Sequence, residues 1–183
     1  YTALSGMHVW LQTLDRLSSD IANTGTAGYK AERAATTEAG RPVFDEALQS
    51  AIDVTQGGTR VDLRPGTVTA TGGAFDFAIE GEGFFVLDTP SGPRYTRSGR
   101  FERSAEGTLT TAEGDAVMGE NGPITVGTGK ISVGDDGTIR SGTTVAGRLQ
   151  VVSFSDPTAL ARESAVRLRN TGAEPVPVEH PTV

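Results

Sequence analysis

Apolar residues near the start of the chain recur in steps of three and four: Leu4, Met7, Leu11, Leu14, then the small polar Ser18, then Ile21. That spacing is the seam of an α-helix lying along another helix, and it predicts one helix over residues 3–22. Asp15 and Arg16 flank the seam, and Ser19 and Asp20 lie outside it. The stripe is narrow, whereas a helix resting on a globular core shows a broader apolar face, so a helical partner is favoured over the chain's own core. Gly25 and Gly28 then predict the helix end, because glycine takes the positive φ of a C-cap.

Beyond residue 28 the helical period is lost. Tyr29–Ala35 fits either a helical continuation or an extended run, Asp45–Ile52 fits a short helix, and Gln56–Thr59 fits a turn. Residues 29–62 therefore read as a connecting arm. From about Val61 the period becomes two. Val61 alternates with Leu63, and Thr67–Thr71 is rich in β-formers before Gly72-Gly73. Phe75, Phe77 and Ile79 alternate with Asp76, Ala78 and Glu80, the pattern of a half-buried strand. Phe84–Leu87 is continuously apolar and predicts a strand buried on both faces. Ser91-Gly92-Pro93 is a turn, and Arg148–Phe154 is a last strong strand.

A short pattern occurs twice. Phe101 leads to Glu106-Gly107-Thr108-Leu109, and thirty residues later Ile131 leads to Asp136-Gly137-Thr138-Ile139. Acidic-Gly pairs supply the positive φ of two-residue hairpin turns, so two similar hairpins of one β domain are expected. The tail carries Pro175, Pro177 and Pro181 among polar residues and reads as extended. The predicted fold is mainly β: a helical segment over 1–28 that is half of a coiled coil, the arm over 29–62, a Gly-rich antiparallel β domain over 63–175, and the tail over 176–183.

Composition narrows the function. The 183 residues carry a net charge of −7, which disfavours nucleic acid as a partner because counterion release gives an acidic chain nothing. There are no cysteines, which excludes disulfides, thiolate metal sites and Cys nucleophiles. No apolar run longer than Phe84–Leu87 exists to span a bilayer, and Tyr1–Ile21 is too polar for the core of a cleavable signal peptide. The missing initiator Met suggests a start inside the gene product.

Candidate chemistry is thin. His8 and His180 lie far apart in sequence, one on the helix and one in the tail, so a Ser-His-acid or His-based metal site is hard to build. Gly81-Glu82-Gly83 looks like the start of a phosphate loop but lacks a third glycine and a following helix. Asp135-Asp136-Gly137 lacks the alternating oxygen ligands and terminal Glu of a calcium loop. Paired carboxylates for glycoside hydrolysis lack stacking aromatics, the one Trp, Trp10, being on the helix. No catalytic, cofactor-binding or metal residue is assigned.

Two ordered motifs carry a family likeness. Tyr1-Thr2-Ala3-Leu4-Ser5-Gly6-Met7, with Ile21-Ala22-Asn23 and Gly28-Tyr29-Lys30, resembles the N-terminal signature of bacterial flagellar rod and hook proteins. Gly66–Gly72 followed by Phe75–Phe85, then Tyr95–Phe101 and Gly107–Leu109, resembles the segment these proteins share at the start of their β domain. The likeness runs in order along residues 1–155. Gly119–Val126, Asp136–Ile139 and Gly147–Leu149 look most like the proximal rod branch, with the distal rod branch next and the much longer hook branch behind.

The resemblance implies a structural, non-enzymatic rod subunit without a cofactor. It implies export, uncleaved, through the flagellar type III apparatus, and helical stacking with other rod subunits in the periplasmic basal body. N- and C-terminal helices would pair as an inner layer with the β domain outside. The implied assembly interface is Leu4, Met7, Leu11, Leu14, Ile21, Asn23 and Tyr29. The family's second long helix is not in this sequence, so the seam has no partner within it, and the first thirty residues are expected to be poorly ordered or held by a neighbouring chain. The competing reading, a β module that grips or cuts peptidoglycan, needs converging carboxylates or aromatics that the sequence does not group.

Overall fold

A computed structural model describes residues 2–34, 59–178 and 181–183. Its elements are one helix, α1 (Thr2–Ala22), and fifteen strands. The strands are β1 (Glu32–Ala34), β2 (Thr59–Val61), β3 (Phe84–Thr89), β4 (Gly92–Thr96), β5 (Glu102–Arg103), β6 (Leu109–Thr110), β7 (Ala116–Gly119) and β8 (Gly122–Pro123). They continue as β9 (Ile131–Val133), β10 (Thr138–Ser141), β11 (Thr144–Arg148), β12 (Val151–Ser153), β13 (Leu160–Arg162), β14 (Arg167–Asn170) and β15 (Val176–Pro177). A 3₁₀ turn at Pro157–Ala159 precedes β13. The chain is mainly β, with a single N-terminal helix and antiparallel pairing throughout, as the change of period from 3.6 to two predicts. The short helix expected over Asp45–Ile52, most of the turn at Gln56–Thr59, and His180 lie outside the described residues.

β3 organises the domain. It pairs with β4, β7 and β12, and the main sheet runs β13-β14-β4-β3-β7-β6-β5. Its side chains go to two different cores. Phe85 and Leu87 join Phe101, Leu109, Val117, Ile124, Ile139 and Leu149. Phe84 and Val86 join Val61, Tyr95, Val152, Phe154, Leu160 and Leu168. The continuous apolar run is therefore a strand buried on both faces, each large side chain contributing about 1.5–3 kcal/mol. The first core is closed by the three-stranded sheet β11-β10-β9 through Ile139, and the second by the ribbon β1-β2 through Val61.

The repeated pattern folds into two matching hairpins. The Ser104 amide donates to the Thr108 carbonyl (2.8 Å) and Gly107 to Ser104 (3.0 Å); Gly134 donates to Thr138 and Gly137 to Gly134, both at 2.9 Å. Gly107 and Gly137 hold φ of 87° and 76°. The loops have three residues, not two: a tight turn followed by a left-handed glycine, which restores the register. Each hairpin thereby buries the residue after its Thr, Leu109 or Ile139, completely.

Other expectations are corrected. Thr67–Thr71 is exposed and joins no strand, because strand propensity without a pairing neighbour does not make a ladder. Phe75–Ile79 alternates as expected, with Ile79 buried and Phe75 and Phe77 packed against the first core, but it pairs only through isolated bridges such as Asp76↔Arg100. Arg148–Phe154 is interrupted at Leu149-Gln150, where the chain passes from β11 to β12. The tail is tied down: β15 pairs with β12, Thr182 bridges Glu80, and Pro181 is buried. Finally, no glycine caps α1. Asn23 does so, its amide and its side-chain Nδ2 both donating to the Ser19 carbonyl at 3.1 and 2.8 Å.

Candidate assembly interface

α1 presents a continuous apolar face to solvent. Met7, Trp10, Leu11, Leu14 and Ile21 are each more than half exposed, Trp10 at 71%, and Leu17 is 49% exposed. Leu4 lies on the same helix, its side chain outside the described residues. Trp10 and Leu17 were missed by reading a strict three-four seam. With about 100° between successive residues they widen the face from about 80° to about 120°. Width therefore no longer argues for a helical partner. Exposure argues for a partner of some kind: the β domain of the same chain leaves these side chains uncovered. Six large apolar residues on one open face form the contiguous kind of patch that marks an interaction surface.

The other two residues of the expected interface, Asn23 and Tyr29, have partners inside the chain. Asn23 caps α1 and accepts a hydrogen bond from the Thr26 hydroxyl through Oδ1 (3.2 Å). Tyr29 is half-buried at the root of the helix. Its hydroxyl donates to Asp20 Oδ1 (2.6 Å) and accepts from Arg162 Nη1 (2.5 Å). The Arg162 guanidinium also lies over the Tyr29 ring, 5.0 Å from its centroid. Gly28 brings the loop against the Arg97–Ser98 backbone so closely that a Cβ there would sit 2.1 Å from the Ser98 nitrogen. The signature Gly28-Tyr29-Lys30 thus joins helix to β domain, a role that residue type alone does not reveal because Arg162 is distant in sequence.

Several cations crowd this junction, most of them paired with carboxylates or backbone carbonyls. The Lys30 ammonium donates to the Arg64 carbonyl (2.5 Å), and burial pushes its pKa down, with the nearby Arg97 charge adding to the shift. The Asp62 carboxyl is held well below the usual carboxylate range by the Arg64 guanidinium, with Arg33 assisting. Arg97 donates to the carbonyls of Ile79 (3.3 Å) and Gly81 (2.7 Å) and lies over the Phe84 ring. Gly81-Glu82-Gly83, which superficially suggested a phosphate loop, is therefore a turn whose Gly81 carbonyl is taken up by Arg97. Asp136 likewise accepts from the amide and hydroxyl of Thr138 within its own turn. Among the described residues no group of three or more His, Asp or Glu is placed to hold a metal ion, and no helix is long and apolar enough to cross a membrane.

Residues 78–141, from just ahead of β3 through β10, match the family model described as the flagellar hook protein FlgE/F/G D1 domain. Over 97% of this chain and 75% of the relative, the sequence is 35% identical to the flagellar basal-body rod protein FlgF of Caulobacter vibrioides. It is 32% identical to the FlgF of Mesorhizobium japonicum over 99% of this chain and 73% of the relative. The flagellar basal-body rod protein FlgG of Bacillus subtilis is 33% identical over 66% of this chain and half of its own length. The FlgF matches over nearly the whole of this chain, the D1-domain match across the central hairpins, and an open helix ahead of a β domain agree. The chain belongs to the flagellar rod and hook protein family and is a structural subunit of the flagellar basal-body rod.

Proposed function

We propose that the chain is a proximal-rod subunit that assembles through α1, with itself and with other axial subunits, into the shaft that carries torque across the periplasm. The observation that carries this reading is the uncovered apolar face of α1. Burying its six described side chains against neighbouring helices would contribute about 1.5–3 kcal/mol each, whereas a lone helix of this length is marginal in water. The helical segment over 1–28 would form the inner layer and the β domain over 63–175 the outer one, with 29–62 as the arm and 176–183 as the tail. Leu4, Met7, Leu11, Leu14 and Ile21 make the contacts, joined by Trp10 and Leu17. Asn23 and Tyr29 shape the helix end from within. The role is structural rather than enzymatic and calls for no cofactor. The subunit reaches the rod through the flagellar export apparatus without a cleaved signal peptide.

The test is the double substitution Leu11→Asp, Leu14→Asp, placed in a motile strain of the same species. Motility and rod assembly are expected to be lost while the purified protein keeps the β-rich circular dichroism of the parent. Normal rods in that strain would show that this face is not the assembly surface.

A further inference from the structure

We infer that Arg162 and Tyr29 are positioning residues that set the direction in which α1 leaves the β domain. Four side chains, from three elements and the loop after α1, meet at this point. Asp20 lies in the last turn of α1, Tyr29 in the connecting loop, Glu32 on β1 and Arg162 on β13. Arg162 donates from Nη1 to the Tyr29 hydroxyl (2.5 Å) and pairs through Nη2 with Glu32 Oε2 (3.2 Å). The Tyr29 hydroxyl passes the chain on to Asp20 Oδ1 (2.6 Å), with Ser19 Oγ at 3.4 Å. Arg162 Nε is buried without a hydrogen-bond partner, so the guanidinium works through the two terminal nitrogens that face the junction.

The chemistry gives direction as well as attachment. A guanidinium is planar and offers its donors in a fixed fork, so Nη1 and Nη2 hold the loop and β1 in one relative orientation. The same plane stacks on the Tyr29 ring, which removes the ring's freedom to swing. A phenol that accepts from a cation and donates to a carboxylate is polarised in one sense along the chain, and each bond strengthens the next. Arg162 is only 13% exposed and Glu32 24%, so water competes weakly. Gly28 supplies the second fixed point, where the loop backbone touches Ser98. Gly28 and Tyr29 are consecutive residues of the short loop 23–31 held against two different parts of the β domain, Ser98 and Arg162, and two such contacts define an orientation where one would leave a swivel.

This inference bears on the assembly reading above, but its test does not depend on it. The chain has no cysteine, so a pair can be introduced cleanly: Gln12→Cys on the exposed side of α1 opposite its apolar face, and Ser91→Cys at the tip of the β3–β4 hairpin. With a nitroxide on each, pulsed electron-electron double resonance reads the spread of helix directions in the full chain. The parent is expected to give one narrow distance peak. Arg162→Lys keeps the charge and loses the fork, and Tyr29→Phe keeps the ring and loses the hydroxyl. Each is expected to lose the single narrow peak while the β domain melts at the parent temperature. Tyr29→Phe leaves packing intact and gives the reading should Arg162→Lys weaken the fold. A broad distribution in the parent, or a narrow one in both variants, overturns the assignment.

Discussion

A methyl group on residue 28 would land 2.1 Å from the Ser98 nitrogen and 2.4 Å from the Arg97 carbonyl carbon, on backbone that has no room to yield. Residue 28 also holds a φ of 73°. Gly25, three residues earlier, has neither constraint: nothing lies within 4 Å of its would-be Cβ. Gly28→Ala is therefore expected to destabilise the protein by about 1–3 kcal/mol, and Gly25→Ala to change stability by less than about 0.5 kcal/mol, measured side by side by urea unfolding. The sequence treats these two glycines alike, as joint helix terminators, because composition reports conformational freedom but not what stands opposite. The same limit hid Arg162, whose partners Tyr29 and Glu32 lie more than a hundred residues away. The two hairpins were legible because their signal, an acidic-Gly turn followed by Thr, is local, whereas the complete burial of Leu109 and Ile139 depends on the core they meet.

Elements with their own hydrogen-bonding partners nearby were readable, and those that depend on a distant or external partner were not. α1 and β3 follow directly from period and apolar run. Thr67–Thr71 has the composition of a strand but no neighbour to pair with, so it stays outside the sheet. α1 is a different case again: it is formed, yet its large apolar side chains face solvent. A helix whose large apolar side chains face solvent should open far more readily than a strand buried on both faces. Hydrogen exchange read by mass spectrometry on the unassembled protein is expected to label α1 orders of magnitude faster than Phe84–Thr89. Equal protection of the two would mean that the helix already has a cover in the single chain.

Across the whole molecule, acidic groups anchor the surface in their charged form. Arg94 pulls the Glu163 carboxyl below its ordinary value, the Thr158 hydroxyl does so for Asp156, the Thr138 hydroxyl for Asp136, and Arg64 for Asp62. A carboxylate whose folded pKa is depressed contributes stability that is present above its unfolded value, near 4, and is lost as pH falls toward the folded one. The urea midpoint is thus expected to stay level from about pH 7 to pH 5 and to fall steadily below about pH 4. A midpoint that rose on acidification would contradict these pairings. The length of α1 gives its junction a wider reach. Twenty-one residues at about 1.5 Å each make a rod of about 30 Å, pivoted at one end. A tilt of only about 10° at Tyr29 sweeps the far tip by about 5 Å, close to one full helical turn. An error of that size would carry the apolar side chains near the far tip off their intended neighbours, while those near the pivot would hardly move. The accuracy with which such shafts could be stacked would then be decided by a few atoms around one phenol hydroxyl at the pivot.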